Sequence, residues 1–143
     1  MKIQLLMLGK TRRPEMRAVL DDYVKRIKRH APIEITEVRD AAAAVKKMDA
    51  DRAATVVFLD AAGKNFSSEA FAKWLAEQRD RGTRELIFVC GDADGFPPDV
   101  LRERALQKLS LSAMTFSHEL ARVMLAEQIY RAFAILSGSP YPK

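Results

Sequence analysis

Three short runs of apolar residues most constrain what this chain can fold into. They are residues 3–8 (IQLLML), 55–59 (TVVFL) and 85–90 (ELIFVC). A strand that is apolar on both faces needs cover on both faces, which is what helices provide on the two sides of a parallel sheet. The runs therefore predict buried strands of an α/β fold.

The residues between the first two runs predict helices and one weaker strand. From Pro14 to Ile27, apolar residues recur at three- and four-residue spacing, as on one face of an amphipathic helix. Residues 33–38 predict a second, less buried strand. Residues 41–53 favour a short helix by propensity.

The second half of the chain continues the same alternation. Ser67 or Ser68 is placed to cap a helix that ends at Gly82. Later come a short helix opened by Pro97 and Pro98, a short strand over 108–112, and a last helix from 118 to about 137 that is capped by Ser117. Strands and helices that alternate in this way predict one domain over residues 1–143, with a mainly parallel sheet and helices on both faces.

Composition and charge limit where the protein works and what it binds. The longest apolar run is far shorter than a membrane span requires, and the one cysteine, Cys90, excludes an internal disulfide framework. We therefore expect a cytoplasmic protein without membrane contact. The net charge of +5 permits a polyanionic partner such as RNA but does not require one.

The last helix is apolar around most of its circumference. A helix of this kind is buried on more than one side, and in a chain of 143 residues a second subunit could supply the additional cover. The pattern predicts a homodimer.

The turn Gly91–Gly95 (GDADG) follows a buried strand directly, at a position where open α/β sheets place ligands. It is either a ligand loop or a plain connection, and its two carboxylates would repel a pyrophosphate. His30 and His118 are the only histidines and nothing clusters with them at metal-ligand spacing, so we expect no metal site. Cys90 ends an apolar strand and is expected to be an inert thiol. These patterns predict a ligand site but no particular reaction.

Three segments resemble the RlmH family of SPOUT methyltransferases. They are residues 109–133 (LSLSAMTFSHELARVMLAEQIYRAF), 1–10 (MKIQLLMLGK) and 58–72 (FLDAAGKNFSSEAFA). Members of that family methylate N3 of a pseudouridine in the 23S, large-subunit ribosomal RNA, using S-adenosyl-L-methionine (SAM). The resemblance implies the same activity here, on free rRNA or the assembled ribosome and not on DNA, by a homodimer whose sheet ends in a trefoil knot.

The resemblance also implies a set of site residues. Cofactor contacts carried over by position fall on Leu59, Gly91, Leu111, Ser112, Ala113, Met114, Thr115 and Phe116. Candidates for RNA contact are Lys10, Arg12, Arg13, Arg122, Arg131 and Lys143. Arg122 and Arg131 are equally candidates for the interface between subunits. His118 and Tyr141 are candidates for a part in catalysis, and no general base is assigned.

Two positions depart from the family pattern. Asp92 stands where the family usually has a second glycine, and Pro142 stands where its final histidine is typical. These departures leave a second hypothesis open, a ribosome- or RNA-associated binding protein that has the fold with reduced or lost activity. A third hypothesis is a small-molecule enzyme that uses another nucleotide.

Overall fold

The computed structural model describes residues 1–97 and 107–141. Within that part of the chain the strands and helices alternate. In chain order they are β1 Lys2–Leu8, α1 Pro14–Ile27, β2 Ile33–Val38, α2 Ala41–Asp49, β3 Thr55–Asn65, α3 Ser68–Asp80, β4 Glu85–Cys90, β5 Gln107–Ser110 and α4 His118–Ser137.

The five strands form one sheet in the order β2-β1-β4-β3-β5, and every pair in it is parallel. Leu5 of β1, for example, lies opposite Ile35 of β2 and Phe88 of β4. The carboxyl ends of all five strands therefore point to the same edge of the sheet, and the predicted parallel α/β architecture is confirmed.

The two-residue period of the strands divides the core into two layers. Leu5 and Phe88 pack with buried residues of α1, α3 and α4 on one face. Leu6 and Val89, their neighbours in sequence, pack with Ala44 of α2 on the other face. The doubly apolar strands are thus covered on both sides, as their sequences require.

Helix α4 packs against both α1 and α3 while it lies on the sheet. Its apolar circumference is therefore explained within one chain and does not by itself require a second subunit. The large apolar side chains that α4 leaves exposed are Leu120, Ile135 and Leu136, each between 37% and 39% accessible. The homodimer remains a prediction.

Strand β3 is longer than its apolar run suggested. It extends past Leu59 to Asn65, and its pairing with β5 shifts there, since both Leu59 and Lys64 align with Leu109. Residues 60–63 form the resulting bulge, in which the Asp60 carboxylate accepts a hydrogen bond from the Ala62 amide at 2.9 Å. The predicted end of the strand at Leu59 was wrong because pairing with β5 resumes after the bulge.

Other predicted boundaries differ by a few residues. Helix α2 ends at Asp49 instead of residue 53, and the strand predicted over 108–112 covers Gln107–Ser110. The short helix predicted after Pro97 lies outside the described residues. The same holds for part of the crossover from β4 to β5, so the trefoil knot stays a prediction. None of the helices in the described part of the chain is long and apolar enough to cross a membrane.

Candidate functional site

A cavity of about 430 Å³ lies at the carboxyl edge of the sheet. Three segments form most of its wall: the end of β3, the turn after β4 and the segment after β5. The start of α4 adds the remainder. The lining residues are Leu59, Asp60, Ala61, Cys90, Gly91, Asp92, Ala93, Asp94, Gly95, Phe96, Leu111, Ser112, Met114, Thr115, Phe116, His118 and Ala121.

The cavity brings together nearly all the residues that the family resemblance assigned to the cofactor. Seven of the eight assigned residues line the cavity. Ala113 is the exception and is exposed beside the cavity. These residues come from three separate parts of the sequence, more than 50 positions apart at the extremes. Their convergence is a result of the parallel sheet, whose strand ends meet at this edge.

The segment that follows β5 is shaped by serine and asparagine side chains. The Ser110 hydroxyl donates to the carbonyl of Ser112 at 3.0 Å, and the Ser112 hydroxyl accepts from the amide of Met114 at 3.0 Å. The Asn65 side-chain amide donates to the carbonyl of Ser110 at 3.3 Å. Local side-chain hydrogen bonds of this kind stabilise a turn in place of regular structure, and here they hold the backbone of residues 110–114.

The turn after β4 owes its glycines to its own geometry. The Asp92 carboxylate accepts from the Asp94 amide at 2.9 Å, and the Asp92 carbonyl accepts from the Gly95 amide at 3.0 Å. Gly95 has φ of +75°, which favours glycine. A Cβ atom on Gly91 would lie 2.8 Å from the Cα of Gly95. The tight turn itself therefore excludes a side chain at position 91, and the cofactor contact of Gly91 stays a prediction.

Four residues that the sequence interpretation did not assign to the cofactor line the same cavity and change its chemistry. Asp60, Asp92 and Asp94 bring carboxylates to its wall. Phe96 lines it as well, with its ring edge-on to Phe58 at 5.1 Å between centroids. The signal for the three aspartates was their position directly after a strand run, which is where parallel sheets present ligand groups.

Cys90 lines the cavity but is only 2% accessible. Burial raises the pKa of its thiol to about 12. The thiol is therefore protonated near neutral pH and is a poor nucleophile. The expectation of an inert, buried cysteine is confirmed.

The two catalytic candidates occupy different places. His118 lines the cavity at the first residue of α4, and its Nε2 lies 4.0 Å from Oε2 of Glu119. Tyr141 does not line the cavity; its hydroxyl lies 3.3 Å from that of Tyr23 and donates to Glu127 at 3.1 Å. Burial, then the hydrogen bond with Tyr23 and the nearby Glu127, raise the pKa of Tyr141. Within one chain, only His118 is close to the site.

Arg122 requires a correction. It was a candidate for RNA contact, yet it is 0% accessible. Its guanidinium donates to the carbonyls of Leu8 at 2.6 Å and Gly9 at 3.1 Å, and to the Thr11 hydroxyl at 3.0 Å. Burial lowers its pKa. A guanidinium enclosed in this way cannot reach an RNA phosphate.

The other basic candidates differ in accessibility. Lys10, Arg12 and Arg13 are exposed on the loop between β1 and α1. Arg131 is half-buried, forms an ion pair with Glu127, and lies over the Tyr141 ring at 5.1 Å. Lys143 and Pro142 lie outside the described residues.

Comparison with known proteins identifies relatives over the full length of the chain. Residues 1–142 match the family model described as "Predicted SPOUT methyltransferase". A protein of Solibacter usitatus named "Ribosomal RNA large subunit methyltransferase H" is 44% identical over 141 residues, covering 99% of each chain. A protein of Geotalea daltonii with the same name is 41% identical over 152 residues, again covering 99% of each.

Solved structures agree on the fold. A protein from Legionella pneumophila, assigned as a methyltransferase and solved in complex with the bound cofactor SAM, superposes with a TM-score of 0.52. It is 14% identical, and the match covers 92% of this chain and 66% of that one. The family model and the relatives that match from end to end show that the chain belongs to the SPOUT methyltransferase family, in the group whose members are named ribosomal RNA large subunit methyltransferase H.

Proposed function

We propose that this chain transfers a methyl group from SAM to N3 of a pseudouridine in large-subunit ribosomal RNA, and that it acts as a cytoplasmic homodimer. One observation carries the proposal. Seven of the eight residues that the family resemblance assigns to the cofactor line one cavity, in a chain about 40% identical along its whole length to rRNA large-subunit methyltransferases.

The cavity suits SAM in size and in chemistry. Its volume of about 430 Å³ falls within the range of roughly 300–1,000 Å³ that is usual for sites of small ligands. Leu59, Leu111 and Phe116 offer apolar surface to an adenine. SAM carries positive charge on its sulfonium and its amino group, so Asp92 and Asp94, which would repel a phosphate, are compatible with this cofactor.

When bound, SAM supplies a methyl group activated by attachment to a sulfonium. The task of the protein is then to align N3 of the base with that methyl group, and alignment of this kind can contribute about 7–11 kcal/mol. The segment after β5, held by the hydrogen bonds of Ser110 and Ser112, provides a wall against which the cofactor is oriented. A bond forms between N3 and the methyl carbon, the bond from that carbon to sulfur breaks, and N3 loses its proton.

We assign the role of accepting the proton that leaves N3 to His118 or to solvent. His118 is partly exposed at the cavity, with a side chain 30% accessible, and an imidazole nitrogen can act as a general base. Cys90 is excluded from this role because its thiol is buried and protonated.

RNA binding is assigned to the exposed cations of the loop between β1 and α1. Lys10, Arg12 and Arg13 can neutralise phosphates and release their counterions, and the net charge of +5 favours approach to RNA. In the proposed dimer, this loop of one subunit faces the cavity of the other.

Two measurements test the proposal. Calorimetry should detect SAM binding at micromolar to millimolar concentration. Mass spectrometry of rRNA from a strain that lacks this protein should show loss of one methylated pseudouridine, restored by the wild-type gene. If SAM does not bind and the rRNA modification profile is unchanged, the binding-protein hypothesis replaces this one.

A further inference from the structure

Arg122 is a buried cation whose hydrogen bonds all go to neutral oxygen atoms. Its guanidinium reaches the carbonyls of Leu8 and Gly9 and the hydroxyl of Thr11, and within the described part of the chain none of its hydrogen bonds goes to a carboxylate. A buried charge is costly unless polar groups compensate it. All three acceptors belong to one segment, the end of β1 and the loop after it. The hydrogen bonds of Arg122 therefore fix the position of that loop.

Thr11 is also held from its other side. Its amide donates to Oε2 of Glu37 at 2.7 Å, and its carbonyl accepts from Nε and Nη2 of Arg17 at 3.2 and 3.1 Å. Arg17 and Glu37 are themselves paired at 2.7 Å. The backbone of Thr11 is therefore fixed to α1 and β2 while its hydroxyl is fixed to α4.

A second residue of α4 holds the end of the same loop. Oε1 of Glu119 accepts from the Arg13 amide at 3.0 Å, and this hydrogen bond is the main reason that the pKa of Glu119 is lowered. Arg122 and Glu119 lie in the same first turns of α4 as His118 and Ala121, which line the cavity. The loop and the cavity are thus built on the same short piece of helix.

We propose that Arg122 is a positioning residue for RNA: it fixes the loop of residues 9–13 to the start of α4, so that Lys10, Arg12 and Arg13 stand at a set position relative to the cavity. This rests on the proposed function, because it assigns those cations to the RNA backbone. A loop ordered before binding loses less conformational entropy when it docks, which strengthens binding without adding a contact.

Substitutions at Arg122 and Thr11 can separate the position of the loop from its charge. Arg122 cannot touch RNA, so its own charge acts only at a distance. The conservative variant Arg122→Lys keeps that charge, but a single ammonium on a shorter side chain cannot serve three separated acceptors. Thr11→Val removes one of the acceptors and keeps the shape of the side chain.

The loop contains two trypsin sites, Lys10 and Arg12, whose cleavage measures how often the loop opens. Trypsin cleaves after Lys10 and Arg12 only when the backbone there opens, so the cleavage rate at low protease follows the population of the open loop. We expect cleavage at these two bonds to be roughly tenfold faster in Arg122→Lys than in the wild type. We also expect the dissociation constant for large ribosomal subunits from a strain lacking this protein to rise roughly tenfold, while that for SAM changes by less than about twofold.

Arg79→Lys is the matched control, because it is the same charge-conserving substitution at a distant position. Arg79 lies on α3 beside Met1, at the opposite end of the sheet. This variant should leave all three measurements unchanged. Should Arg122→Lys fail to fold, Thr11→Val carries the test with smaller effects in the same direction.

Three outcomes would overturn the inference: a loop that stays protected from trypsin in the variants, a loop that opens without any loss of subunit binding, or a loss of SAM affinity as large as the loss of subunit affinity. The trypsin measurement does not depend on methylation. If the proposed function fails, so that the wild type binds neither SAM nor ribosomal subunits, the tryptic pattern still reports whether Arg122 orders the loop.

Discussion

Cys90 and Arg122 are the residues whose chemical roles depend most on burial. Each is a strong functional group in the sequence, and each is enclosed near the strand ends that form the cavity. The thiol loses its reactivity there, and the guanidinium is committed to the carbonyls of Leu8 and Gly9. The residue types alone would allow a nucleophile and a phosphate-binding cation, but the burial of Cys90 and Arg122 excludes both roles.

Cys90 should resist alkylation in the folded protein. Its thiol is buried with a pKa of about 12, so iodoacetamide at pH 8 should modify it only after denaturation, as mass spectrometry can show. The pKa of the Cys90 thiol is higher in the folded protein than in the unfolded chain, so the buried neutral thiol contributes to the free energy of unfolding. This contribution is complete below about pH 9. It declines as the pH rises toward 12, by at most about 1.4 kcal/mol per pH unit. Cys90→Ala should show a shallower alkaline decline in unfolding free energy, and rapid alkylation of the native protein would contradict the prediction.

Gly91→Ala should disturb the turn after β4. The added Cβ would lie 2.8 Å from the Cα of Gly95, so the backbone must move, at a cost on the order of 1–3 kcal/mol in unfolding free energy. We expect the affinity for SAM, measured by calorimetry, to fall roughly tenfold because the cavity wall shifts. Gly82→Ala is the control: it strains a positive φ of +81° away from the cavity and should reduce stability while SAM affinity is kept. Equal affinity in wild type and Gly91→Ala would contradict the placement of the site.

At the scale of elements, α4 connects the core with the site. Its middle packs on the sheet between α1 and α3, and its first residues line the cavity and hold the loop after β1. Displacement of its first turn should therefore affect both ligand binding and the loop. The residue that stabilises this turn is Ser117, whose hydroxyl accepts from the Leu120 amide at 3.4 Å.

Ser117→Ala should reduce stability and weaken SAM binding together. Loss of an N-cap costs about 1 kcal/mol, which thermal or urea denaturation can measure. The matched control is Ser67→Ala, which removes the N-cap of α3, where the Ser67 hydroxyl accepts from the Ala70 amide at 3.0 Å. Both variants should lose similar stability, and only Ser117→Ala should reduce SAM affinity. The same loss of affinity in both would mean that general destabilisation, not the start of α4, is responsible.

At the scale of the whole molecule, the parallel sheet brings the residues of the site together. Segments after β3, β4 and β5, which are far apart in sequence, meet at one edge, and the loop after β1 is attached nearby through α4. Among the described residues, the apolar side chains that α4 still exposes, Ile135 and Leu136 included, are the candidates for a surface between subunits.

The chain should sediment as a dimer in analytical ultracentrifugation, and Ile135→Glu should shift it toward monomer. Ile135 is 39% accessible in the single chain, and a carboxylate buried at an interface is strongly unfavourable. Ala42→Glu, an equivalent change on exposed α2 at the other face of the sheet, should leave the dimer intact. A monomeric wild type at the concentrations used for methylation assays would refute the prediction.

Much of the architecture could be predicted because its causes are local. The apolar runs 3–8 and 85–90 are strands that need cover on both faces, and the spacing of apolar residues over Pro14–Ile27 is a helical period. The convergence at the cavity, with Leu59 and Gly91 among its residues, was anticipated through the family resemblance, since spacing alone indicated a site but no cofactor.

The sequence by itself determined which segments are strands and helices and that the sheet is parallel, because these follow from residues close together in the chain. Only the tertiary structure decided that Arg122 is buried, that β3 resumes after its bulge, and that α4 is covered by two helices of its own chain. Each of these depends on partners distant in sequence: Arg122 meets Leu8 across 114 positions, and Lys64 pairs with Leu109. Periodicity carries no information about such contacts, because they arise only when the assembled sheet brings its strand ends together.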